Sequence, residues 1–176
     1  MYVREMTMDD YDEVHALWLS ISKFGIRSLD DSGTGIERFL RRNPRTCVVC
    51  VDDAPDAESA SGGEALSGKD TDDNTGISRG SGPIVGSILC GNDGRRGCLY
   101  HVCVSRDYRR RGIGRMMVDF CLAALQREHV NKVCLNAYVT NEGGNAFWRS
   151  LGWTLRSDMY YYDYSINEDN VTTFNP

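Results

Sequence analysis

From Val104 to Met117 the chain reads Val-Ser-Arg-Asp-Tyr-Arg-Arg-Arg-Gly-Ile-Gly-Arg-Met-Met. Gly112 and Gly114 remove side chains where the backbone must bend and let a ligand approach closely. Ile113, Met116, Met117, Phe120, Cys121 and Leu125 then recur at helical spacing, which predicts a helix from Gly112 to about Glu128. The first amides of such a helix lack internal partners, and its dipole adds roughly half a positive charge there. Arg109, Arg110, Arg111 and Arg115 surround the same point. The chemistry this predicts is anion binding, with a phosphate as the natural occupant. Taken alone, the run also fits a plain strand-to-helix turn with a solvated basic face.

Other reactive side chains are less specific. The seven cysteines are Cys47, Cys50, Cys90, Cys98, Cys103, Cys121 and Cys134. An odd number, set mostly within apolar patterns, suits a reducing compartment rather than a disulfide framework. Cys47-Val-Val-Cys50 has the spacing of half a zinc site, but no second pair follows, so a core strand is expected and no metal. Asn170-Val-Thr172 spells a glycosylation sequon and nothing more. No charged-then-apolar signal opens the sequence and no apolar run reaches spanning length, so a cytoplasmic protein without membrane contact is expected.

The elements that must position these groups alternate in type. Thr7 with Asp9 and Asp10 starts a helix carrying Tyr11, Val14, Leu17, Trp18 and Ile21. The loop Phe24–Asp31 leads to a second helix with Ile36, Phe39 and Leu40, stopped at Asn43-Pro44. Strands are expected at 46–51, 84–91, 98–104 and 132–139, a helix over 141–151, and a closing hairpin from 153–156 and 159–165. Alternate members of Tyr160, Tyr161, Tyr162 and Tyr164 should then pack inside.

At 176 residues and 41% hydrophobic, one domain over residues 1–165 is the default, with 166–176 a tail. The net charge of −5 argues against nucleic-acid binding. Residues 53–82 are rich in Gly, Ser, Ala, Asp and Thr and lack aromatics, which predicts a disordered acidic insertion between two strands. Together the elements predict a mixed α/β fold: a mostly antiparallel central sheet flanked by helices.

Three ordered motifs resemble the GNAT (Gcn5-related) N-acetyltransferases. Arg109-x-x-Gly112-x-Gly114, preceded by Val102-Cys-Val104, is similar to the family's coenzyme A loop. Asn141-x-x-x-Asn145-Ala-Phe147-Trp148-Arg-x-Leu-Gly152-Trp153 resembles its Asn-x-x-Ala-x-x-Phe-Tyr block. The strand order is the third feature. Resemblance covers nearly the whole chain outside 53–82 and the tail, and small single-domain members of the YpeA-like group look closest.

The resemblance implies acetyl-CoA as co-substrate. The loop from Arg109 to Arg115, Ile113 included, would hold its pyrophosphate, and the edge of Val102, Cys103 and Val104 would pair with its pantetheine arm as a neighbouring strand. A backbone amide near Val102–Cys103 would stabilise the oxyanion. Asn141, Asn145 and Trp148 fall where the family contacts the coenzyme from the other side, although Asn141 also fits a helix cap. Trp148 replaces the family's usual tyrosine acid, and an indole N–H cannot usefully protonate a thiolate. Water or Tyr138 would have to serve instead. Cys98 and Tyr100 fall where the family often places Glu or His; Tyr100 is the candidate proton relay. His101 is the alternative base, since its ordinary pKa suits proton removal near neutrality, but strand alternation puts it on the opposite face from Tyr100, which favours a structural or surface histidine.

The function expected is acetyl transfer to a primary amine by direct attack in a ternary complex, with Tyr100, Cys103 and Tyr138 as candidate catalytic groups. The acceptor, a small-molecule or peptide amine, would lie near Asp30 and Asp31, both of which also fit a helix cap or a solvated turn. The alternative is an acetyl-CoA-binding sensor with little catalysis. An exposed final strand leaves a homodimer open.

Overall fold

The spacing of Tyr11, Val14, Leu17 and Trp18 forms helix α1 (Tyr11–Leu19), entered through a 3₁₀ turn at Met8–Asp10. Asp10 accepts two 2.7 Å bonds from the Arg4 guanidinium and one of 2.8 Å from the Thr7 amide, which locks the helix start to strand β1 (Tyr2–Glu5). The structure, a computed structural model, describes residues 1–53 and 82–176, so nearly all of the expected insertion at 53–82 lies outside the described residues.

Beyond α1 come β2 (Gly25–Arg27), α2 (Gly33–Arg42), β3 (Val48–Val51), β4 (Ile84–Asn92) and β5 (Gly97–Val104). Helix α3 (Ile113–Arg127), β6 (Val133–Leu135), α4 (Glu142–Ser150) and β7 (Thr172–Phe174) complete the order. The main sheet runs β1-β3-β4-β5-β6, antiparallel except for the parallel β5–β6 pair. Every residue of β3, including Cys50, is buried, because both faces of this strand are covered. Trp18, Ile36, Leu40 and Val49 form the core under α1 and α2. Ile88, Met117, Cys121 and Leu125 form a second core under α3, on the other face. Each such side chain contributes about 1.5–3 kcal/mol on burial.

The mixed sheet flanked by helices is the architecture expected. Three local expectations fail. The strand over 132–139 is only Val133–Leu135, and the hairpin at 153–156 and 159–165 does not form. Tyr160, Tyr161, Tyr162 and Tyr164 are all exposed rather than alternately buried. Three consecutive tyrosines offer no inside/outside pattern to select a register, and three-residue β6 presents only a short edge to pair with. The chain instead continues to β7, within the expected tail, which pairs antiparallel with β2, within the expected Phe24–Asp31 loop. β-Branched Thr172 and Thr173 suit that strand, and the Phe174 ring packs on Gly25, where a Cβ would come 3.0 Å from it.

Candidate active site

Strand β5 leaves the sheet into a 3₁₀ turn at Arg106–Tyr108 and then bends through two left-handed residues, Arg110 (φ 66°) and Gly112 (φ 82°). Gly112 caps α3, and the first helical bond runs from the Met116 amide to the Gly112 carbonyl at 3.1 Å. The amides from Gly112 to Arg115 therefore precede the ladder and remain available as donors. The arginines also shape the turn. Arg109 Nε donates to the Val104 carbonyl (3.1 Å), and Arg111 donates to the Asp107 carbonyl (3.0 Å) while lying 4.9 Å over the Tyr108 ring. Arg110 and Arg115 are exposed beside the helix start. Gly114 serves packing: a Cβ there would meet the Phe147 ring of α4 at 3.1 Å.

Beside this cradle the sheet opens. β6 pairs with β5 only from Gly97 to Leu99, so among the described residues the edge of Tyr100–Val104 on that side has no strand neighbour. Ser87 pairs with Cys103 and Leu89 with Tyr100, so Ile88 alone faces both His101 and Val102. That is a β-bulge, which leaves its extra residue outside the ladder and re-aims side chains. An unpaired strand edge leading to a helix N-terminus fits a ligand with a peptide-like arm and a pyrophosphate.

The bulge overturns the alternation expected for His101. Its φ of 48° lies in the left-handed region, unusual for a non-glycine residue in a strand. The imidazole joins the α1 face, 4.6 Å from the Trp18 ring and 5.0 Å from the Phe24 ring. Tyr100 lies on this face too, edge-on to Phe39 at 6.0 Å. His101 Nε2 is 2.7 Å from Asp31 Oδ1, and the other oxygen of Asp31 accepts a 2.7 Å bond from the Arg27 amide. Asp31 is buried, at 4% exposure. A carboxylate there accepts the hydrogen bond from Nε2–H, which leaves Nδ1 as the lone-pair nitrogen through which the neutral ring can act as a base. Beneath the pair, Trp18 Nε1 donates to Ser87 Oγ (2.9 Å), which lies 3.3 Å from Cys103 Sγ.

The remaining candidates divide. Cys103 lies on the α1 face next to Ser87, and burial pushes its thiol up to about 11, so it is not a nucleophile at neutral pH. Burial, with the neighbouring Cys98 thiol, raises the Tyr100 phenol well above its ordinary range; Tyr100 can donate a hydrogen bond but not act as phenolate. Val102 and Val104 pack on the α3 face. Tyr138 is exposed beyond β6, its ring 5.7 Å from Phe174. Asn141 caps α4 by accepting from the Gly144 amide (3.0 Å), and Asn145 Nδ2 donates to the Tyr138 carbonyl (2.9 Å), so both hold the turn into α4. Trp148 packs between Phe147 (4.9 Å) and Trp153 (5.0 Å). Of the two acids proposed to meet an ammonium group, Asp31 belongs to the His101 pair. Asp30 accepts from Asn170 at 2.8 Å and lies 3.8–3.9 Å from Arg38 and Arg27. The His101–Asp31 pair is what sequence reasoning missed. Its two members are seventy residues apart, and only the bulge brings them together.

Comparison with known proteins gives the family and agrees with the fold. The profile of the acetyltransferase (GNAT) family matches residues 40–153. An acetyltransferase of Sodalis glossinidius is 28% identical over 169 residues, spanning 96% of this chain and 98% of its own length. Among solved structures, Ard1 from Thermoplasma volcanium superposes with a TM-score of 0.62 at 16% identity, covering 89% of this chain and 84% of that one. The NatC complex bound to Gag peptide and CoA gives 0.58 at 18% identity, covering 85% and 82%. Among the described residues no helix is long and apolar enough to cross a membrane.

Proposed function

Because this chain belongs to the acetyltransferase (GNAT) family, whose members draw the acetyl group from acetyl-CoA, we propose that it moves that group to a primary amine by direct attack with both substrates bound together. Acetyl-CoA supplies the activated acetyl thioester. The Gly112–Arg115 amides, with Arg109–Arg111 and Arg115, hold its pyrophosphate, and the open β5 edge at Val102–Val104 receives its arm. The observation that carries the reading is the His101–Asp31 pair at the bulge, 2.7 Å apart and beside that open edge.

In this reading His101 takes the proton from the attacking amine, and Asp31 fixes its tautomer and orientation. A bulge amide in the Val102–Cys103 stretch donates to the carbonyl oxygen as charge develops there. Tyr100, held neutral, orients water near the departing sulfur, with Tyr138 across the slot. Direct attack is favoured over an acetyl-enzyme because Cys103 and Cys98, the thiols of β5, are both held protonated by burial.

The test is isothermal titration of acetyl-CoA into the wild type and Gly112→Glu, followed by thiol release in the presence of primary amines. The left-handed φ at Gly112 strains any side chain, and a carboxylate there opposes an anion. Binding by the wild type, its loss in the variant and amine-dependent thiol release are expected. Binding without amine-dependent release would overturn catalysis and leave a coenzyme sensor.

A further inference from the structure

We propose that the segment Asn167–Asn175 is a wall of the acceptor entrance that admits slender primary amines to His101 and excludes peptide amino termini, with Phe174 and Asn175 as its specificity-determining residues. This rests on the acetyl-transfer reading above.

The segment is clamped at both ends onto the loop that carries the His101 pair. At one end Asn170 Oδ1 accepts from the Leu29 and Asp30 amides (3.1 and 3.3 Å), and its Nδ2 donates to Asp30 Oδ2 (2.8 Å), next to Asp31. Ser28 adds an amide bond to the Val171 carbonyl (2.9 Å) and a hydroxyl bond to the Asp169 carbonyl (2.7 Å). At the other end Asn175 Nδ2 donates to the Trp18 and Ile21 carbonyls, both at 2.8 Å. The Asn175 amide donates to the Phe24 carbonyl, and its own carbonyl accepts from Lys23, each at 3.0 Å. Trp18 and Phe24 are the two rings packed on His101. Asn175 thus fixes the backbone of both walls of the histidine's pocket.

Between the clamps, β7 spans the opening. It occupies an edge of β2, and Phe174 reaches Tyr138 on the stretch that diverges from β5 after β6. The two lips of the slot are therefore bridged on the His101 side. An extended peptide that sought to add as a strand at this edge of β2 finds β7 already paired there. A narrow amine carries no such requirement. Its chain can pass the half-exposed Phe174 and Tyr138 rings, which offer apolar contact behind the nitrogen.

The experiment compares the full chain with Asn175→Asp and Phe174→Ala. Asn175→Asp is isosteric but turns Nδ2, which donates both bonds, into an oxygen facing two carbonyls, which releases that clamp. Phe174→Ala removes the bridge to Tyr138 and keeps the backbone pairing, so it serves where the first variant fails to fold. Titration of acetyl-CoA checks each protein. Thiol release is then measured with phenethylamine, with a tetrapeptide bearing a free amino terminus, and with no acceptor. The wild type is expected to prefer phenethylamine. Variants that bind acetyl-CoA as the wild type does are expected to shift kcat/KM toward the peptide by about tenfold and to raise acceptor-free release. Wild-type preference for the peptide, or variants with an unchanged ratio and unchanged acceptor-free release, overturns the wall while leaving acetyl transfer intact. A wild type that binds acetyl-CoA but releases no thiol with any amine overturns the acetyl-transfer reading and the wall with it.

Discussion

A histidine in the left-handed region of a strand is held there at a cost of about 1–3 kcal/mol, which the surrounding structure must offset. At His101 the surroundings are specific: a buried carboxylate on Nε2, two tilted aromatic rings against it and a bulge that turns it from the α3 face to the α1 face. This arrangement orients a base and says which nitrogen works. It also suggests the substitution that tests it. Glycine adopts φ of 48° without strain, so His101→Gly keeps the bulge while deleting the imidazole. The expected result is a loss of about 10²- to 10⁴-fold in kcat with a small amine, with acetyl-CoA affinity unchanged. Added imidazole should restore part of the rate by filling the space left. A variant that keeps wild-type kcat would assign proton removal to water and leave His101 as packing.

The elements differ in how openly the sequence declares them. Helix α3 is legible because Ile113, Met117, Cys121 and Leu125 repeat at helical spacing directly after two glycines, and all four are buried as that pattern requires. Contact between α3 and α4 is less open, yet it decides the role of the second glycine. A Cβ on Gly114 would come within 3.1 Å of Phe147, which is itself packed against Trp148. Gly114→Ala therefore requires the Phe147 ring of α4 to give way by a few tenths of an ångström beside the helix start that forms the anion cradle. Crowding of this kind costs about 1–3 kcal/mol. A lower thermal midpoint together with weaker acetyl-CoA binding is expected, and an unchanged affinity would uncouple the α3–α4 contact from the cradle. The bulge and β7 were not legible at all. A bulge breaks the period-two rule through which strands are read, and His101 carries no glycine signature for its backbone. β7 depends on side chains such as Asn170 and Asn175, whose partners lie some 140 residues or more away. The same distance makes Asn170 a clamp rather than the sequon it spells.

Across the whole molecule charge is segregated, and the acidic stretch joins the described chain beside the basic turn. Residues 54–81 carry six acids and two bases, and without them the chain's net charge falls from −5 to −1. The roots of that segment are fixed: the Asp52 amide donates to the Pro83 carbonyl at 2.9 Å. The Asp52 carboxylate also hydrogen-bonds the Tyr108 hydroxyl, one residue before the arginine run. Acids attached at that point oppose an anionic ligand at the helix start, and the opposition is screened beyond about 10 Å at 0.1 M salt. Replacing 54–81 with a four-residue Gly-Ser turn shortens the loop about sevenfold, which lowers the closure cost by about 1.7 kcal/mol. The thermal midpoint is expected to rise by a few degrees. Acetyl-CoA affinity is expected to increase about two- to fivefold at low ionic strength and to converge with the parent at high salt. Calorimetry and titration at two salt concentrations separate the effects. An affinity that falls on deletion, at either salt, would mean that the segment contributes contacts to the coenzyme site and is not merely an electrostatic brake upon it.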